Sequence, residues 1–203
     1  MIEDLKNKFE NYKPYINGYK NMKRASVLIP VVKKDNAHYI LFEVRSKNLK
    51  TQPNEISFPG GKIESNESPI DAVIRETCEE IGTYKDNVNI ISELDLLITP
   101  GNMIIHPFVG YINNIANLNI NKDEVDHIFL VPVSYLLEYN PSLYDNEVKV
   151  IPNDDFPFDI IPHKKDYKFA TSNYRVLFYQ YKDYVIWGIT AKILENFLEF
   201  LKN

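Results

Sequence analysis

The chain has 203 residues, 44% hydrophobic and 25% charged, an ordinary globular composition that excludes disordered, collagen-like and repeat-only chains and fits one domain over residues 1–203. Its net charge of −5, from 23 Lys and Arg against 28 Asp and Glu, argues against nucleic acid as the main partner, because that binding rests on neutralising phosphates. The single cysteine, Cys78, excludes an internal disulfide and points to a reducing, cytoplasmic compartment; no export signal or apolar run of about 20 residues places the chain in or on a membrane.

In chain order, residues 1–20 are expected to form an N-terminal helical segment, with Ile2, Leu5 and Phe9 at helical spacing and packed on the main body. Residues 25–32 and 39–44 are β-rich and joined by a Lys-Lys-Asp-Asn turn, which predicts a hairpin, with Pro30 marking an edge or a bulge. A loop over 45–55 leads to Ile56-Ser57-Phe58-Pro59-Gly60-Gly61. A helix is predicted over 69–81: Ser68 is a good N-cap, Pro69 suits the first position, Asp71 complements the dipole, and Gly82 can close the end in left-handed conformation. Strands are expected over 88–98, 104–112 and 127–133, followed by a helical turn at 133–139. The four prolines of 140–168 predict an irregular loop or lid. Aromatics at 174–187 suggest a strand pair, and 189–201 an amphipathic closing helix whose apolar stripe suits its own domain or a twin subunit in a homodimer.

The chemistry concentrates on the helix at 69–81, where Glu76, Glu79 and Glu80 stand at i, i+3 and i+4. At about 100° per residue they share one arc, beside an apolar arc of Ile70, Val73, Ile74, Thr77 and Ile81. Like charges at that spacing cost a few tenths of a kcal/mol each, and no Lys follows four residues later to offset them. A solvated acidic face is the ordinary reading of such a run, but a hard divalent cation would also remove the cost.

The surrounding residues favour the cation. From Gly61 the chain reads Gly, five residues, Glu67, seven residues, then Arg75-Glu76-Thr77-Cys78-Glu79-Glu80-Ile81-Gly82-Thr83. This resembles the box of the Nudix hydrolase family, departing only in Thr77 and Thr83, where a bulky aliphatic is usual. The resemblance implies an α/β/α sandwich around a mixed sheet, Mg²⁺ or Mn²⁺ held by Glu76, Glu79 and Glu80, and water attack on a pyrophosphate. Arg75 would hold a carboxylate in place, Glu79 would ligate or orient water, and Glu67 would pair with Arg75 or take a second ion. Gly60 and Gly61 would let the backbone turn closely beside the metal.

Leu41-Phe42-Glu43-Val44-Arg45-Ser46, followed by Phe58-Pro59-Gly60-Gly61, is similar to the coenzyme A pyrophosphatase branch, with Lys50 where Arg is usual and Asn54 where Gly is usual. The similarity runs on through Thr99-Pro100-Gly101, His106-Pro107-Phe108-Val109, Glu124-Val125 and Ile186-Trp187-Gly188. It implies cleavage of coenzyme A or its thioesters to phosphopantetheine and adenosine 3′,5′-bisphosphate, with Arg45, Lys47, Lys50, Gly60 and Gly61 binding substrate. ADP-ribose, NADH and dinucleoside polyphosphates are the alternative substrates, and a non-catalytic nucleotide-binding module is the alternative class. Glu124 is the candidate base, with Asp123 and Asp126 as rivals. Cys78 has no nucleophile pattern, and His38, His106, His127 and His163 lack metal-ligand spacing.

Overall fold

The structure is a computed structural model and describes residues 1–202. Its organising strand is β1 (Lys23–Lys34), whose apolar run Val27–Val32 is what a strand covered on both faces requires. β1 turns through Asp35 and Asn36, both in left-handed conformation, into β2 (Ala37–Arg45), as the hairpin expectation had it. The following strands are β3 (Ile56–Ser57), β4 (Gly60–Lys62), β5 (Val88–Glu93), β6 (Leu97–Thr99), β7 (Met103–Ile112) and β8 (Val125–Pro132). With β1 and β2 they form an eight-stranded sheet, ordered β3-β2-β1-β7-β5 with β4, β6 and β8 attached to β1, β7 and β2. β1 and β7 run parallel and the other pairs antiparallel, so the sheet is mixed.

Both faces are covered. On one lies α2 (Pro69–Ile81), whose Val73 and Ile81 pack on Leu28, Val32, Leu41 and Phe108. On the other, α3 (Val133–Glu138), α4 (Gly188–Lys202) and a second sheet of β9 (Ser142–Lys149), β10 (Thr171–Tyr181) and β11 (Tyr184–Trp187) close over Ile29, Ile40, Phe42 and Phe129. This is the α/β/α sandwich around a mixed sheet that the sequence implies, with the second sheet added to the α4 layer. Among the described residues no helix is long and apolar enough to cross a membrane.

Five expectations are corrected. Pro30 is at neither an edge nor a recorded bulge; it sits in central β1, between the residues that pair with β4 (Ala25–Val27) and those that pair with β2 (Val31–Lys34). Leu28 donates its N–H to Pro59 on that side, and by strand alternation the N–H that Pro30 lacks points into the same handover, where no ladder bond is needed. The N-terminal helix, α1, covers only Ile2–Phe9 and buries nothing; both faces of the main sheet are already taken, and Phe9 finds only the ring of Tyr12. The strand expected over 88–98 is broken after Glu93, because β7 takes β5 and β6 as successive partners on one edge.

Part of the irregular segment at 140–168 is strand β9, whose mostly exposed residues carry little hydrophobic pattern and are ordered by the ladder to β10. Finally, Ile70 in the apolar arc of α2 stands in the helix's first turn and is exposed, while Val73, Thr77 and Ile81, further along the same arc, are buried. α4 buries Ala191, Ile193, Leu194, Phe197 and Leu198 and leaves Leu201 exposed.

Candidate active site

The site forms where α2 meets β4 and the end of β2. The helix begins as its sequence dictates: the Ser68 hydroxyl accepts from the Asp71 N–H, Pro69 opens the first turn, and Gly82 closes the helix at φ 65° with its N–H on the Cys78 carbonyl. The Asn-rich segment that follows β7 then caps the exposed carbonyls, Asn121 N–H donating to Glu80 O at 2.9 Å and Asn119 N–H to Gly82 O at 3.3 Å. That segment carries Glu124, whose carbonyl accepts from Ser46 N–H at 2.8 Å. The end of α2, the start of β8 and the end of β2 are thereby tied together.

Arg75 organises the acidic groups. Its guanidinium grips Glu67 with two bonds, Nε to Oε1 at 2.8 Å and Nη2 to Oε2 at 3.0 Å, and reaches Glu76 at 2.9 Å, Glu79 at 3.2 Å and the Lys62 carbonyl at 3.2 Å. A planar fork suits this multiple grip where a lysine would not. The bonds from Arg75, helped by the Glu64 N–H, lower the Glu67 carboxyl to about 2, and those from Glu67 and Glu76 hold the guanidinium charge firmly. Of the two roles open to Glu67, pairing with Arg75 is the one seen.

Glu76 and Glu80 point toward the β4 side of the helix. Glu80 is buried and accepts the Gly60 N–H at 2.7 Å. Burial first, and then the neighbouring charges of Glu43, Glu76 and Glu124, raise its carboxyl well above the ordinary range. Glu76, half-buried, is raised by burial and partly restored by Arg75. Gly61 lies so close that a Cβ there would stand 2.5 Å from the Glu76 Cδ, and Gly60, at φ 149°, would put a Cβ 2.2 Å from the Ser26 carbonyl oxygen. Both glycines are therefore demanded by close approach.

Sequence reasoning quoted Glu43 within a motif but gave it no role. It is fully buried in β2, accepts the Ser57 hydroxyl at 2.9 Å, and is raised by burial with contributions from Glu124 and Glu76. The available signal was a lone acid in the apolar run Leu41-Phe42-Glu43-Val44. Of the three acids considered as base, Glu124 stands near enough for its charge to act on Glu43, Glu76 and Glu80. Asp126 is held by His127 Nδ1 at 2.6 Å, which lowers its carboxyl; Asp123 and Glu124 are both exposed.

Of the basic residues, Arg45 is half-buried at the end of β2 with its Nε unpartnered, whereas Lys47 and Lys50 are exposed on the following loop. That loop closes on Arg45, whose N–H donates to Glu55 O and whose carbonyl accepts from Asn54 N–H; Asn54 adopts φ 61°, the left-handed angle that its position requires. An open groove of about 390 Å³ borders the loop, lined by Gln52, Glu55, Asn146, Trp187 and Thr190 among others.

The donor set suits a hard divalent ion: carboxylate oxygens, a buried carboxylate pair with no cation hydrogen-bonded to it, and a glycine edge that lets the backbone approach the Glu76 carboxylate closely. Among the described residues no three His, Cys, Asp or Glu side chains converge as a ready-made cage. Mg²⁺ usually takes one or two carboxylates together with waters and substrate phosphates, a demand that Glu76 and Glu80 can meet.

The NUDIX domain model matches residues 22–168. The mouse peroxisomal coenzyme A diphosphatase NUDT7 is 31% identical over 171 residues, 84% of this chain and 66% of the mouse protein, so the chain spans about two thirds of that relative. NudL of Citrobacter koseri, an uncharacterized Nudix hydrolase, is 29% identical over 96% of this chain and 92% of its own length. A crystal structure of a MutT/nudix family protein from Enterococcus faecalis shares the fold, with TM-score 0.54 and 15% identity over 100% of this chain and 70% of that one. The motif at 61–83, the sandwich that presents it and the domain match together establish that the chain belongs to the Nudix family.

Proposed function

We propose that the protein is a metal-dependent pyrophosphohydrolase that splits coenzyme A or its thioesters into phosphopantetheine, or its acyl form, and adenosine 3′,5′-bisphosphate. The reaction class is carried by the carboxylates of α2, oriented by Arg75 and set against Gly60 and Gly61. Mg²⁺ or Mn²⁺ bound there would activate water and neutralise charge on the departing phosphate. Glu76 and Glu80 would hold the ion, with Glu79, half-exposed and tethered to Arg75, as a third ligand or as the group that orients water. Glu124 would accept the proton of the attacking water, a role its position beside the cluster supports.

The substrate rests on different observations: the motif from Leu41 to Gly61, and 31% identity to a coenzyme A diphosphatase. Arg45 at the end of β2, with Lys47 and Lys50 on the exposed loop that follows, forms a local positive stretch suited to the several phosphates of coenzyme A. Incubating the protein with coenzyme A, ADP-ribose, NADH and a dinucleoside polyphosphate, each with Mg²⁺ or Mn²⁺, and weighing the products tests both parts. Adenosine 3′,5′-bisphosphate should form fastest. Faster turnover of another substrate would refute the coenzyme A assignment while leaving the reaction class standing, and no turnover at all would favour a nucleotide-binding module.

A further inference from the structure

The acidic side chain in β2 does not belong to the motif on α2, yet the fold brings it there. Along β2, Ile40, Phe42 and Val44 pack toward α4, whereas Leu41 packs on Val73 and Ile81 of α2. By strand alternation Glu43 shares the face of Leu41 and points into the α2 layer, where Glu80 is the buried acid whose charge it meets. The segment 57–60 touches both carboxylates: Ser57 Oγ donates to Glu43 Oε1 at 2.9 Å, and Gly60 N–H donates to Glu80 Oε2 at 2.7 Å.

The second oxygen of Glu43, Oε2, is buried with no hydrogen-bond partner. A buried polar atom normally has a partner, and an unpaired one costs about 1–3 kcal/mol, more if charged. The nearby cation, Arg45, does not supply that partner, since its own Nε is buried and unpaired too. Among the described residues a neutral hydroxyl and one amide are thus the only donors seen to two buried carboxylates. Hard divalent cations take oxygen ligands of this kind, and carboxylates around a metal site commonly decide its affinity.

We infer that Glu43, through its unpartnered Oε2, supplies a further oxygen donor to the divalent-cation site that Glu80 borders. The inference rests on the proposed metal-dependent function and adds to the α2 carboxylates a residue from a different element. A purely structural Glu43 would be inert toward metal; a donor would be costly without metal and favourable with it.

The test is Mn²⁺ binding by calorimetry, with melting temperature measured with and without Mn²⁺, on the wild type, Glu43→Gln, Ser57→Ala and Glu80→Gln. Glu43→Gln should weaken Mn²⁺ binding at least about tenfold. Without metal it should melt no lower than the wild type, because a buried like charge is gone; with saturating Mn²⁺ the order should reverse. Ser57→Ala, which keeps the carboxylate but removes its anchor, should weaken binding by a smaller factor. Wild-type affinity in Glu43→Gln alongside lost affinity in Glu80→Gln would overturn the inference and spare the function. Absence of Mn²⁺ binding by the wild type would overturn both. If Glu43→Gln melts lower than the wild type without metal and its melting point rises as much with Mn²⁺, Glu43 is structural and the inference falls.

Discussion

Gly60 and Gly61 are neighbours that resist a side chain for different reasons. A Cβ at Gly60 meets the backbone oxygen of Ser26 in a conformation that L residues avoid, so Gly60→Ala should destabilise by about 2 kcal/mol or more, read by denaturant melts. At Gly61 the obstacle is the movable carboxylate of Glu76, so Gly61→Ala should leave stability nearly unchanged while activity falls tenfold or more in steady-state assays. Thr77 and Thr83 depart from the family pattern and both bury an unpaired hydroxyl. Replacing Thr77 by Val keeps the shape and removes an unsatisfied group, so it should stabilise by about 1–2 kcal/mol with turnover intact. Motif residues were legible in the sequence because their spacing is fixed by one helix. Glu43 was not, because its partner Glu80 lies 37 positions away by number and only strand pairing and layer packing unite them.

At the scale of elements, α2 is held at its start by Ser68, to the preceding loop by the Arg75–Glu67 grip, and across to β4 by Arg75 on the Lys62 carbonyl. The low carboxyl of Glu67 gives that grip a pH signature. Its folded value of about 2 lies below the ordinary 4.5, so the pair stabilises fully above pH 4.5 and the contribution is lost as pH falls from 4.5 through 2. The melting-temperature difference between the wild type and Glu67→Gln should therefore be largest at neutral pH and vanish in strong acid. Helix 69–81 was legible to the residue because cap, proline, periodicity and terminal glycine agree. Strand β9 was not, since its side chains are mostly exposed and its order comes from pairing with β10, some thirty residues on. Glu124 was named from the sequence as the candidate base, but what positions it was not legible: its backbone bond to Ser46 and the anchoring of Asn121 on α2 are tertiary, and no local pattern carries them. Glu124→Gln should lower turnover about 10²-fold with the circular dichroism spectrum unchanged, while Asp126→Asn, whose parent carboxylate is engaged by His127, should stay near wild type.

Across the whole molecule, the mixed sheet serves as a platform whose two faces do different work. The face under α4 and the second sheet carries the larger apolar core, with stacked Phe42, Phe58 and Phe129 at its centre. The face under α2 changes from apolar to acidic along its length, from Leu28 and Val73 to Glu43 and Glu80. Burying like charges disfavours folding, and a metal ion that binds only the folded chain offsets it. Glu80 carries this conflict most strongly, and its raised carboxyl means that the metal-free fold loses stability as pH rises above the ordinary carboxylate range. The most direct measurement is therefore a comparison of the wild type and Glu80→Gln at pH 8, recording metal-dependent cleavage of coenzyme A by mass and melting temperature without metal. Cleavage should fall by at least about 10³-fold, as loss of a metal ligand requires, while the metal-free melting temperature rises. Cleavage at the wild-type rate in Glu80→Gln would contradict the assignment of the α2 carboxylates as the catalytic metal site.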